Sequence, residues 1–499
     1  MSLITVNNLT FCYNGAFKDV FQNVSFSIDT DWKLGLIGRN GKGKTTFLKL
    51  LLGKYRYQGS ISSNAQFDYF PFEVQNKEKL AIEIINEITP SAEDWEIIKE
   101  LNLLKAKPEI LYQNFHLLSG GEQVKILLVS LFLKNNHFLL IDEPTNHLDS
   151  QTKNHLVEYL KKKKGFIVVS HDRNFLDEIV DHIISINNTN IEIQKGNFSS
   201  WQENKNAQDN FEFTQNEKLK KEINRLEIAS QNTAKWSDKI EKSKFNTTNS
   251  GSSIDRGYVG HKSAKMMKKS KVMEKRTQKA IQEKSSLLKN VDRNDCLKIV
   301  PLETKQNLFV LANNFQIKYN HKSIFAPVSF EIKKGDRVAI IGENGIGKSS
   351  ILKLLFGNQI DYQGDIKIAK DLKISYVSQS TETLKGNLKE FAIQNKIEES
   401  IFKAMLSKMG FSKSEFDKKI EEMSEGQKKK VLVAKSISKS ANFYIWDEPL
   451  NYIDILTRIQ IEEVILKNKP TMIFVEHDET FVKNIATKVI HLIDKCDKN

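Results

Sequence analysis

Two kinds of apolar pattern mark the strands of this chain. FLLIDEP (138–144) and GFIVVSHD (165–172) are continuous apolar runs that end in polar loops, which is typical of parallel strands buried on both faces. MSLITVNNLTFCY (1–13) alternates apolar with polar residues, as a half-buried strand does. Segments of helical spacing lie between such runs. The pattern therefore predicts an α/β fold.

The middle of the chain has a different pattern. Over 203–242, and again over 263–290, apolar residues recur at roughly helical spacing among charged ones. Gly251, Gly257 and Gly260 interrupt between them, and glycine is unfavourable inside a helix. This predicts an antiparallel pair of long helices with its hinge in SGSSIDRGYVGHKSAKMMKKSK (250–271). The simpler interpretation is a coiled-coil spacer with a solvated, charged face.

The two ends of the chain are copies of one unit. GRNGKGKTTFLKLLLGKYRYQGSI (38–61) returns as GENGIGKSSILKLLFGNQIDYQGDI (342–366), and LLIDEPTNHLD returns as YIWDEPLNYID. Several motifs recur at a nearly constant offset, which is the signature of an internal repeat. We therefore predict a first domain over 1–202, a helical linker over 203–304 and a second domain over 305–499.

Composition and cysteine spacing restrict the class of protein and its cellular location. The chain has 499 residues, and apolar runs such as ILLV (126–129) are far too short to span a bilayer. Cys12, Cys296 and Cys496 stand far apart, which argues against a disulfide framework, a zinc site or an iron–sulfur cluster. The N-terminus does not resemble a signal peptide. These features predict a cytoplasmic protein.

The positive charge of the chain is concentrated in the linker. Residues 241–290 hold 13 Lys and Arg against 4 Asp and Glu, so they contribute +9 of the formal net charge of +13. Local basicity of this kind favours a nucleic-acid partner, although charge alone is a weak signal.

Each repeat unit contains a glycine-rich loop of the form GxxxxGK[ST]. Its glycines let backbone N–H groups surround phosphates, its lysine supplies charge, and its last hydroxyl can bind Mg²⁺. Each loop follows an apolar run and precedes a helical one. The predicted ATP-binding residues are Gly38, Asn40, Gly41, Gly43, Lys44, Thr45 and Thr46 in the first loop, and Gly342, Asn344, Gly345, Gly347, Lys348, Ser349 and Ser350 in the second.

Two predicted strands in each unit end in groups suited to phosphate hydrolysis. An aspartate at a strand end can bind Mg²⁺, and the glutamate after it can polarise water for attack on the γ-phosphate. A lone histidine after a strand is usually a surface residue, but here both copies share the register of the other motifs. The predicted Mg²⁺ ligands are Asp142 and Asp447 with Thr45 and Ser349, and the predicted catalytic residues are Glu143, Glu448, His171 and His477.

LSGGEQ (118–123) resembles the signature of ATP-binding-cassette (ABC) ATPases, and MSEGQKKK (423–430) is its second copy. In that family the signature of one cassette binds the γ-phosphate held by the opposite cassette. The resemblance implies two tandem ABC domains that clamp two ATP molecules. The further ATP-binding residues it implies are the signature residues Ser119, Gly120, Gly121 and Glu122, with Ser424, Glu425, Gly426 and Gln427; the adenine-stacking Tyr13 and Tyr319; the D-loop Asp149 and Asp454; and the Q-loop Gln379.

Three features depart from the family pattern. The second signature has SEGQ in place of SGGEQ, and EHD (476–478) replaces SHD (170–172). YFPFEV (69–74) places Phe72 where a Q-loop glutamine is expected, so either the first site coordinates metal differently or the nearby Gln75 takes that place. Both sites keep their lysine, aspartate, glutamate and histidine. We therefore expect both to bind ATP and at least one to hydrolyse it.

The whole chain is similar to the ABC-F family of translation ATPases, and within it to the Lsa-type antibiotic-resistance group. SGGEQVKILLVSLFL, DEPTNHLD and GNFSSW, together with the basic linker, carry this resemblance. It implies a monomer without a membrane domain that enters the tRNA exit site of the 70S ribosome and reaches toward 23S rRNA and the P-site tRNA. Lincosamides, streptogramin A and pleuromutilins would be displaced from the peptidyl transferase centre, and ATP hydrolysis would release the protein.

The basic tip, near 243–263, supplies candidate RNA contacts. Lysine and arginine suit phosphates, and an aromatic or imidazole ring can stack on a base. The candidates are Arg256, Tyr258, Val259, His261, Lys262 and Lys265. Three alternatives stay open: a housekeeping ABC-F factor that rescues stalled ribosomes, the tandem ATPase subunit of a membrane transporter, and a DNA-handling cassette ATPase. The absence of paired cysteines disfavours the last.

Overall fold

The computed structural model describes most of the two repeat units and part of the segment between them. The described residues are 2–13, 15, 19–145, 148, 150–187, 189–243, 265, 268, 271–272, 275–276, 279, 299, 301–319, 322–343 and 345–493. The chain divides into two compact units, one formed by Met1–Trp201 with Asn294–Asn499 and the other by Gln202–Arg293. The predicted domain boundaries at 202 and 304 stay predictions.

The first repeat alternates strands with helices. Its strands are β1 (Leu3–Phe11), β2 (Phe21–Asp29), β3 (Lys33–Gly38), β4 (Gln58–Ser62), β5 (Gln66–Phe70), β6 (His137–Asp142), β7 (Phe166–Val169), β8 (His182–Asn187) and β9 (Asn190–Lys195). Its helices are α1 (Lys44–Leu51), α2 (Ala81–Ile88), α3 (Asp94–Leu103), α4 (Gly120–Phe132), α5 (Ser150–Lys161) and α6 (Arg173–Ile179), followed by the long α7 (Phe198–Ser243).

The second repeat follows a similar order. Its strands are β10 (Leu308–Tyr319), β11 (Lys322–Ser323), β12 (Val328–Lys333), β13 (Arg337–Ile341), β14 (Tyr362–Ile368), β15 (Ile374–Val377), β16 (Phe443–Asp447), β17 (Met472–Val475) and β18 (Lys488–His491). Its helices are α8 (Lys348–Phe356), α9 (Leu388–Gln394), α10 (Glu399–Lys408), α11 (Lys413–Phe416), α12 (Glu425–Ser438), α13 (Ile455–Asn468) and α14 (Glu479–Ile485).

A mainly parallel sheet forms the centre of each repeat. The order is β5-β6-β7-β3-β8-β9 in the first, with only β9 antiparallel, and β15-β16-β17-β13-β18 in the second. In both, the strand before the phosphate loop lies beside the strand before the histidine, and the aspartate strand comes next. The carboxyl ends of parallel strands share one edge, so the predicted phosphate-binding groups meet there. The α/β prediction is confirmed.

Both faces of each parallel sheet are buried, as the continuous apolar runs predict. Along β6, Phe138 and Leu140 enter the core shared with α1 and the antiparallel β2-β1-β4 sheet, while Leu139 and Ile141 enter the core shared with α2 to α5. Along β16, Phe443 and Ile445 likewise face one core and Tyr444 and Trp446 the other. Each strand end is thereby fixed between two packed layers.

The predicted first linker helix, 203–242, coincides with the C-terminal part of α7. Residues 265, 268, 271–272, 275–276 and 279 are also helical. Because most of 263–290 lies outside the described residues, the antiparallel pairing stays a prediction. Within the described part of the chain, no helix is both long enough and apolar enough to cross a bilayer.

Candidate functional site

The two phosphate loops have nearly the same geometry. Gly43 and Gly347 precede the first helical turns with φ of 100° and 92°, a left-handed conformation that favours glycine. The lysine of each loop folds back onto backbone carbonyl groups: Lys44 Nζ donates to Gly38 O, and Lys348 Nζ donates to Gly342 O, both at 2.7 Å. Burial lowers the pKa of both lysines. Each loop therefore holds a desolvated cation at a helix N-terminus, where an anion binds favourably.

The hydroxyl and the aspartate of each predicted metal site lie within hydrogen-bond distance. Thr45 Oγ1 donates to Asp142 Oδ2 at 3.1 Å, and Ser349 Oγ donates to Asp447 Oδ1 at 2.9 Å. Asp447 is fully buried, and its Oδ2 has no hydrogen-bond partner among the described residues. Burial raises the pKa of Asp447. A buried carboxylate oxygen without a partner fits the hard oxygen ligand that Mg²⁺ requires.

The predicted catalytic glutamates sit on strained backbone just past the aspartates. The N–H of Glu143 donates to Val169 O and that of Glu448 to Val475 O, which continues the sheet pairing. Both residues then turn to positive φ, 52° and 46°, a conformation that non-glycine residues adopt at a cost and that often marks functional sites. This turn aims each carboxylate at the histidine of its own cassette.

The two glutamate–histidine pairs differ in burial and charge. His171 Nε2 lies 3.2 Å from Glu143 Oε1, and His477 Nε2 lies 3.5 Å from Glu448 Oε1. Burial, and then the neighbouring Asp142, raises the pKa of Glu143 to about 8. Burial acts in the same direction on Glu448, but the hydrogen bond and charge of His477 outweigh it and the pKa is lowered. The side chain of His477 is 42% exposed and that of His171 only 16%, so the second histidine is the more open, whereas both glutamate side chains are largely buried.

Strand register settles the alignment of the Q-loops. Phe70 pairs with Ile141 and Val377 pairs with Trp446, each one residue before the metal-site aspartate. Phe72 therefore corresponds to Gln379. Gln379 hydrogen-bonds Glu448, whereas Phe72 packs against the core. At the first site Tyr69 OH donates to Asp142 Oδ2 at 2.9 Å.

Both signature motifs begin a helix with a capping box. Ser119 Oγ accepts from Glu122 N, and Glu122 Oε2 accepts from Ser119 N at 2.9 Å. Ser424 and Gln427 make the equivalent pair at the start of α12. Since Glu and Gln serve equally at the third helical position, the SEGQ form keeps the helix start of SGGEQ.

The first site is covered by the second cassette. Asn40 N donates to Asp454 Oδ2 at 3.2 Å, and Asn40 Nδ2 donates to Tyr452 O at 2.8 Å. Gly426 is buried beside them, so that a Cβ there would lie 2.4 Å from Tyr452 O. The structure thus brings the second signature and D-loop to the first phosphate loop, the arrangement that the resemblance implies.

Fewer contacts can be described at the second site, because Asn344 and Asp149, the counterparts of Asn40 and Asp454, lie outside the described residues. Ser119 and Gly120 are exposed to solvent, as Ser424 and Glu425 are. A Cβ at Gly345 would meet no described atom within 4 Å, whereas one at Gly41 would lie 3.7 Å from Glu415 of the opposite cassette. Among the described residues, the opposite cassette therefore approaches Gly41 and not Gly345.

The aromatic residues predicted to stack on adenine lie beside the phosphate loops. Tyr13 OH and Thr46 Oγ1 are 2.6 Å apart, and Tyr319 OH and Ser350 Oγ are 3.0 Å apart. Both rings are substantially exposed, at 43% and 52%, which leaves a face free for a base.

Several predicted residues lie outside the described part of the chain. They are Asn344 and Asp149 of the ATP-binding set and Arg256, Tyr258, Val259, His261 and Lys262 of the linker tip. Lys265 is described; it is helical and exposed.

Sequence reasoning missed the buried charges that support the sites. Lys430, in a KKK run typical of an exposed surface, is 3% exposed and donates to Asp454 Oδ2 at 2.6 Å and to Met409 O at 2.8 Å. Lys429 donates to Glu448 O at 3.0 Å. Glu476 accepts from Leu450 N at 2.7 Å. The one available signal was the proximity of these residues to the signature and to the EHD motif.

Comparison with known proteins finds the same two repeat units. The family model described as "ABC transporter" matches residues 21–146 and 325–451. ATP-binding protein Uup of Buchnera aphidicola is 30% identical over 513 residues, covering 98% of this chain and 80% of that protein. Ribosome protection protein VmlR of Bacillus subtilis is 27% identical and covers 96% and 85% of the two chains. ABC transporter F family member 2 of Arabidopsis thaliana is 25% identical and covers 98% and 76%.

A solved structure shares the fold of both repeats. The archaeal ribosome recycling factor aABCE1, in complex with ribosomal stalk protein aP1, superposes with a TM-score of 0.60 and covers 97% of this chain and 87% of that one at 18% identity. Since both repeats match the family model and each joins a phosphate loop to a signature helix, the chain belongs to the ABC family and is a tandem two-cassette, ATP-binding ATPase with ABC-F-like relatives.

Proposed function

We propose that this ATPase binds the 70S ribosome in the cytoplasm, enters the tRNA exit site as a monomer and directs its linker toward 23S rRNA and the P-site tRNA. The observation that carries the proposal is the similarity to a ribosome protection protein over 96% of the chain. The local charge of the linker, +9 over 241–290, supports an RNA partner.

The finer proposal is that the bound protein displaces lincosamides, streptogramin A and pleuromutilins from the peptidyl transferase centre. It belongs to the Lsa-type interpretation of the sequence. Arg256, Tyr258, Val259, His261, Lys262 and Lys265 are proposed to contact RNA near the tip. An approach of the tip to the P-site tRNA would reshape the drug site without a direct contact between protein and drug.

In this proposal ATP closes the cassettes and hydrolysis reopens them. Thr45 with Asp142, and Ser349 with Asp447, would hold Mg²⁺, which neutralises charge on the β- and γ-phosphates when bound. Glu143 and Glu448 would orient the attacking water, and His171 and His477, beside them, would hydrogen-bond the γ-phosphate. Ser119 with Gly121, and Ser424 with Gly426, complete the opposite sites. Because ATP contacts both halves, it favours the closed state strongly.

Ribosome co-sedimentation with ATP tests the proposal. The Glu143→Gln/Glu448→Gln variant should close but not reopen, and it should be retained on 70S particles when the wild-type protein has already dissociated. A Lys44→Ala/Lys348→Ala variant, which lacks the phosphate-binding charges, serves as the matched control and should not be retained. Failure of the glutamate variant to sediment with ribosomes in any nucleotide state would overturn ribosome binding, and co-fractionation with membranes would favour the transporter alternative.

Drug susceptibility in a sensitive Gram-positive host tests the finer proposal. Expression of the wild-type chain should raise the inhibitory concentration of the three drug classes, while the response to a β-lactam, which acts outside the ribosome, stays unchanged. A deletion within 250–271 should abolish the effect. Ribosome retention without any change in susceptibility would favour the housekeeping rescue factor.

A further inference from the structure

A buried arginine of the first cassette crosses to the second. Arg173 begins α6, two residues after the predicted catalytic His171. Its Nη1 donates to Glu462 Oε2 at 3.1 Å, and its Nη2 donates to the other oxygen of the same carboxylate. Glu462 lies on α13, the helix that follows the D-loop Asp454. A two-pronged contact of this kind fixes both the distance and the angle between the groups.

The same guanidinium approaches the histidine loop of the second site. Arg173 Nη2 lies 3.6 Å from Asp478 Oδ2, and Asp478 directly follows His477. Asp478 Oδ1 accepts from Phe481 N at 3.0 Å and so caps α14, which positions that loop. Arg458, on α13, also donates to Asp478 Oδ2, at 3.1 Å. Arg173 is therefore connected to the predicted catalytic histidine of each site. It is connected to His171 through the chain and to His477 through Asp478.

Burial restricts the movement of the three side chains that form this connection, Arg173, Glu462 and Asp478. The side chains of Arg173, Glu462 and Asp478 are 7%, 8% and 6% exposed. Burial favours the neutral form of Asp478, but Arg458 and Arg173 outweigh it and the pKa of Asp478 is lowered. Water cannot replace a buried partner, so a displacement of Arg173 leaves a desolvated carboxylate unless the opposite loop follows.

The link exists on one side of the pseudosymmetric pair only. Lys153 Nζ contacts Asp172 Oδ2 at 3.2 Å, as Arg458 contacts Asp478 in the second cassette. The counterpart of Arg173 is Glu479, however, and the counterpart of Glu462 is Val157. The Arg173–Glu462 pair is thus an addition to the shared cassette architecture.

We propose that Arg173 is a positioning residue that couples the two ATP sites, because it ties the histidine loop of the first site to the histidine loop and α13 of the second. When the first site loses its γ-phosphate and its histidine loop shifts, Arg173 shifts with it and draws Glu462 and Asp478 along. Turnover at the second site then depends on whether the first site holds ATP. Coupling between two sites corresponds to a change of about 5- to 150-fold in binding affinity, and we expect the effect on turnover to reach at least the lower end of that range.

The test measures ATP turnover at the second site in two chains, one whose first site holds ATP and one whose first site cannot bind it. In a Glu143→Gln chain the first site keeps ATP, and in a Lys44→Ala chain it cannot hold it. The ratio of second-site turnover in these two chains measures the coupling. Introducing Arg173→Met into both should lower that ratio by about fivefold or more. A residue with a merely structural role would lower both turnover numbers together and leave the ratio unchanged.

Two further variants keep the test decisive. Arg173→Met/Glu462→Met replaces both buried partners with side chains of apolar character, so it should fold with a wild-type Tm and still lose the coupling. Asn174→Ala removes a neighbouring exposed contact between the cassettes, Thr480 Oγ1 to Asn174 Oδ1 at 2.7 Å, and should leave the ratio intact. The proposal fails if the ratio stays within twofold of its starting value in the doubly substituted chain, or if Asn174→Ala lowers it equally.

Discussion

Glu476 occupies the position that Ser170 holds in the first cassette, next to the histidine. It is 6% exposed and accepts hydrogen bonds from Leu450 N and His477 N. Burial raises its pKa to about 7, although Arg458 and the two N–H groups oppose the shift. A carboxyl group at this position therefore carries a proton in the folded protein at a pH where the unfolded chain has lost it.

The first prediction concerns pH and Glu476. Because the folded pKa exceeds the unfolded value of 4.5, stability falls as pH rises from 4.5 to about 7 and then levels off. Glu476→Gln removes this penalty. As pH rises from 5 to 8, the wild type should therefore lose about 2–3 kcal/mol of unfolding free energy relative to Glu476→Gln. Thermal unfolding at the two pH values measures it. The exposed Glu479→Gln is the control, and a parallel pH response of wild type and Glu476→Gln would contradict the argument.

The Q-loops give a second prediction at the same scale. Gln379 bonds Glu448, and Phe72 has no polar group to offer Glu143. With only the second site active (Glu143→Gln), Gln379→Ala should lower turnover by about one to two orders of magnitude, because the attacking water loses a positioning group. With only the first site active (Glu448→Gln), Phe72→Leu should change turnover less than about twofold, since the volume changes little. An equal loss of turnover in Gln379→Ala and Phe72→Leu would mean that the ring of Phe72 participates in the reaction.

At the scale of elements, the described surroundings of the two signature helices differ. A Cβ at Gly426 would lie 2.4 Å from Tyr452 O and 2.9 Å from Asn40 Nδ2, whereas a Cβ at Gly121 would lie 3.2 Å from the Thr152 side chain, its nearest neighbour. Backbone atoms cannot move aside as a side-chain methyl group can. Among the described residues, the start of α12 is thus fitted to the opposite cassette, whereas the close neighbour of Gly121 at the start of α4 belongs to its own cassette.

This difference predicts unequal effects of the same substitution. Without nucleotide, Gly426→Ala should lower the free energy of unfolding by about 1–3 kcal/mol through overpacking. Gly121→Ala should lower it by less, because a rotation of Thr152 relieves the contact. Denaturant unfolding of the two variants under one set of conditions compares them. Equal losses would show that the first site is not closed in solution in the way the structure has it.

Much of the architecture was predictable from sequence, and the reason is periodicity. The runs at 138–144 and 165–172 became β6 and β7, and the glycine-rich loops lie between a strand and a helix in both repeats. The family resemblance implied that the second signature and D-loop meet the first phosphate loop, but no local pattern predicts the particular contact of Asn40 with Tyr452. Lys430 is the residue that the sequence pattern misplaced most clearly. A lysine run normally indicates a solvent-exposed surface, but the D-loop carboxylate of Asp454 makes the burial of Lys430 favourable.

At the scale of the whole molecule, Asp454 joins the two cassettes. It accepts from Asn40 of the first cassette and pairs with Lys430 of the second, and both Asp454 and Lys430 are nearly inaccessible to solvent. Burial opposes ionisation of Asp454, but Lys430 and Lys44 lower its pKa below the ordinary value. Its charge therefore stabilises the fold above pH 3.8 and is lost only as pH falls further.

The last prediction follows from this pairing. Asp454→Asn leaves Lys430 buried without a counter-charge and should cost about 3–5 kcal/mol of unfolding free energy at neutral pH. Replacing both, as Asp454→Asn/Lys430→Met, should restore most of it. Chemical denaturation of the wild type and the two variants gives the comparison. A single variant as stable as the wild type would mean that solvent reaches Lys430.

The one-sided pair of Arg173 and Glu462 has a consequence for how such a chain arises and assembles. A homodimer of identical cassettes must repeat every interface residue on both sides, so a lone cross-pair becomes possible only after duplication and fusion have let the halves diverge. Two copies of the first half would set Arg173 opposite Val157, and two copies of the second would set Glu479 opposite Glu462. Either mismatch leaves a buried charge unpaired or repelled. The Arg173–Glu462 pair therefore favours the pairing of a first half with a second half over the pairing of two identical halves.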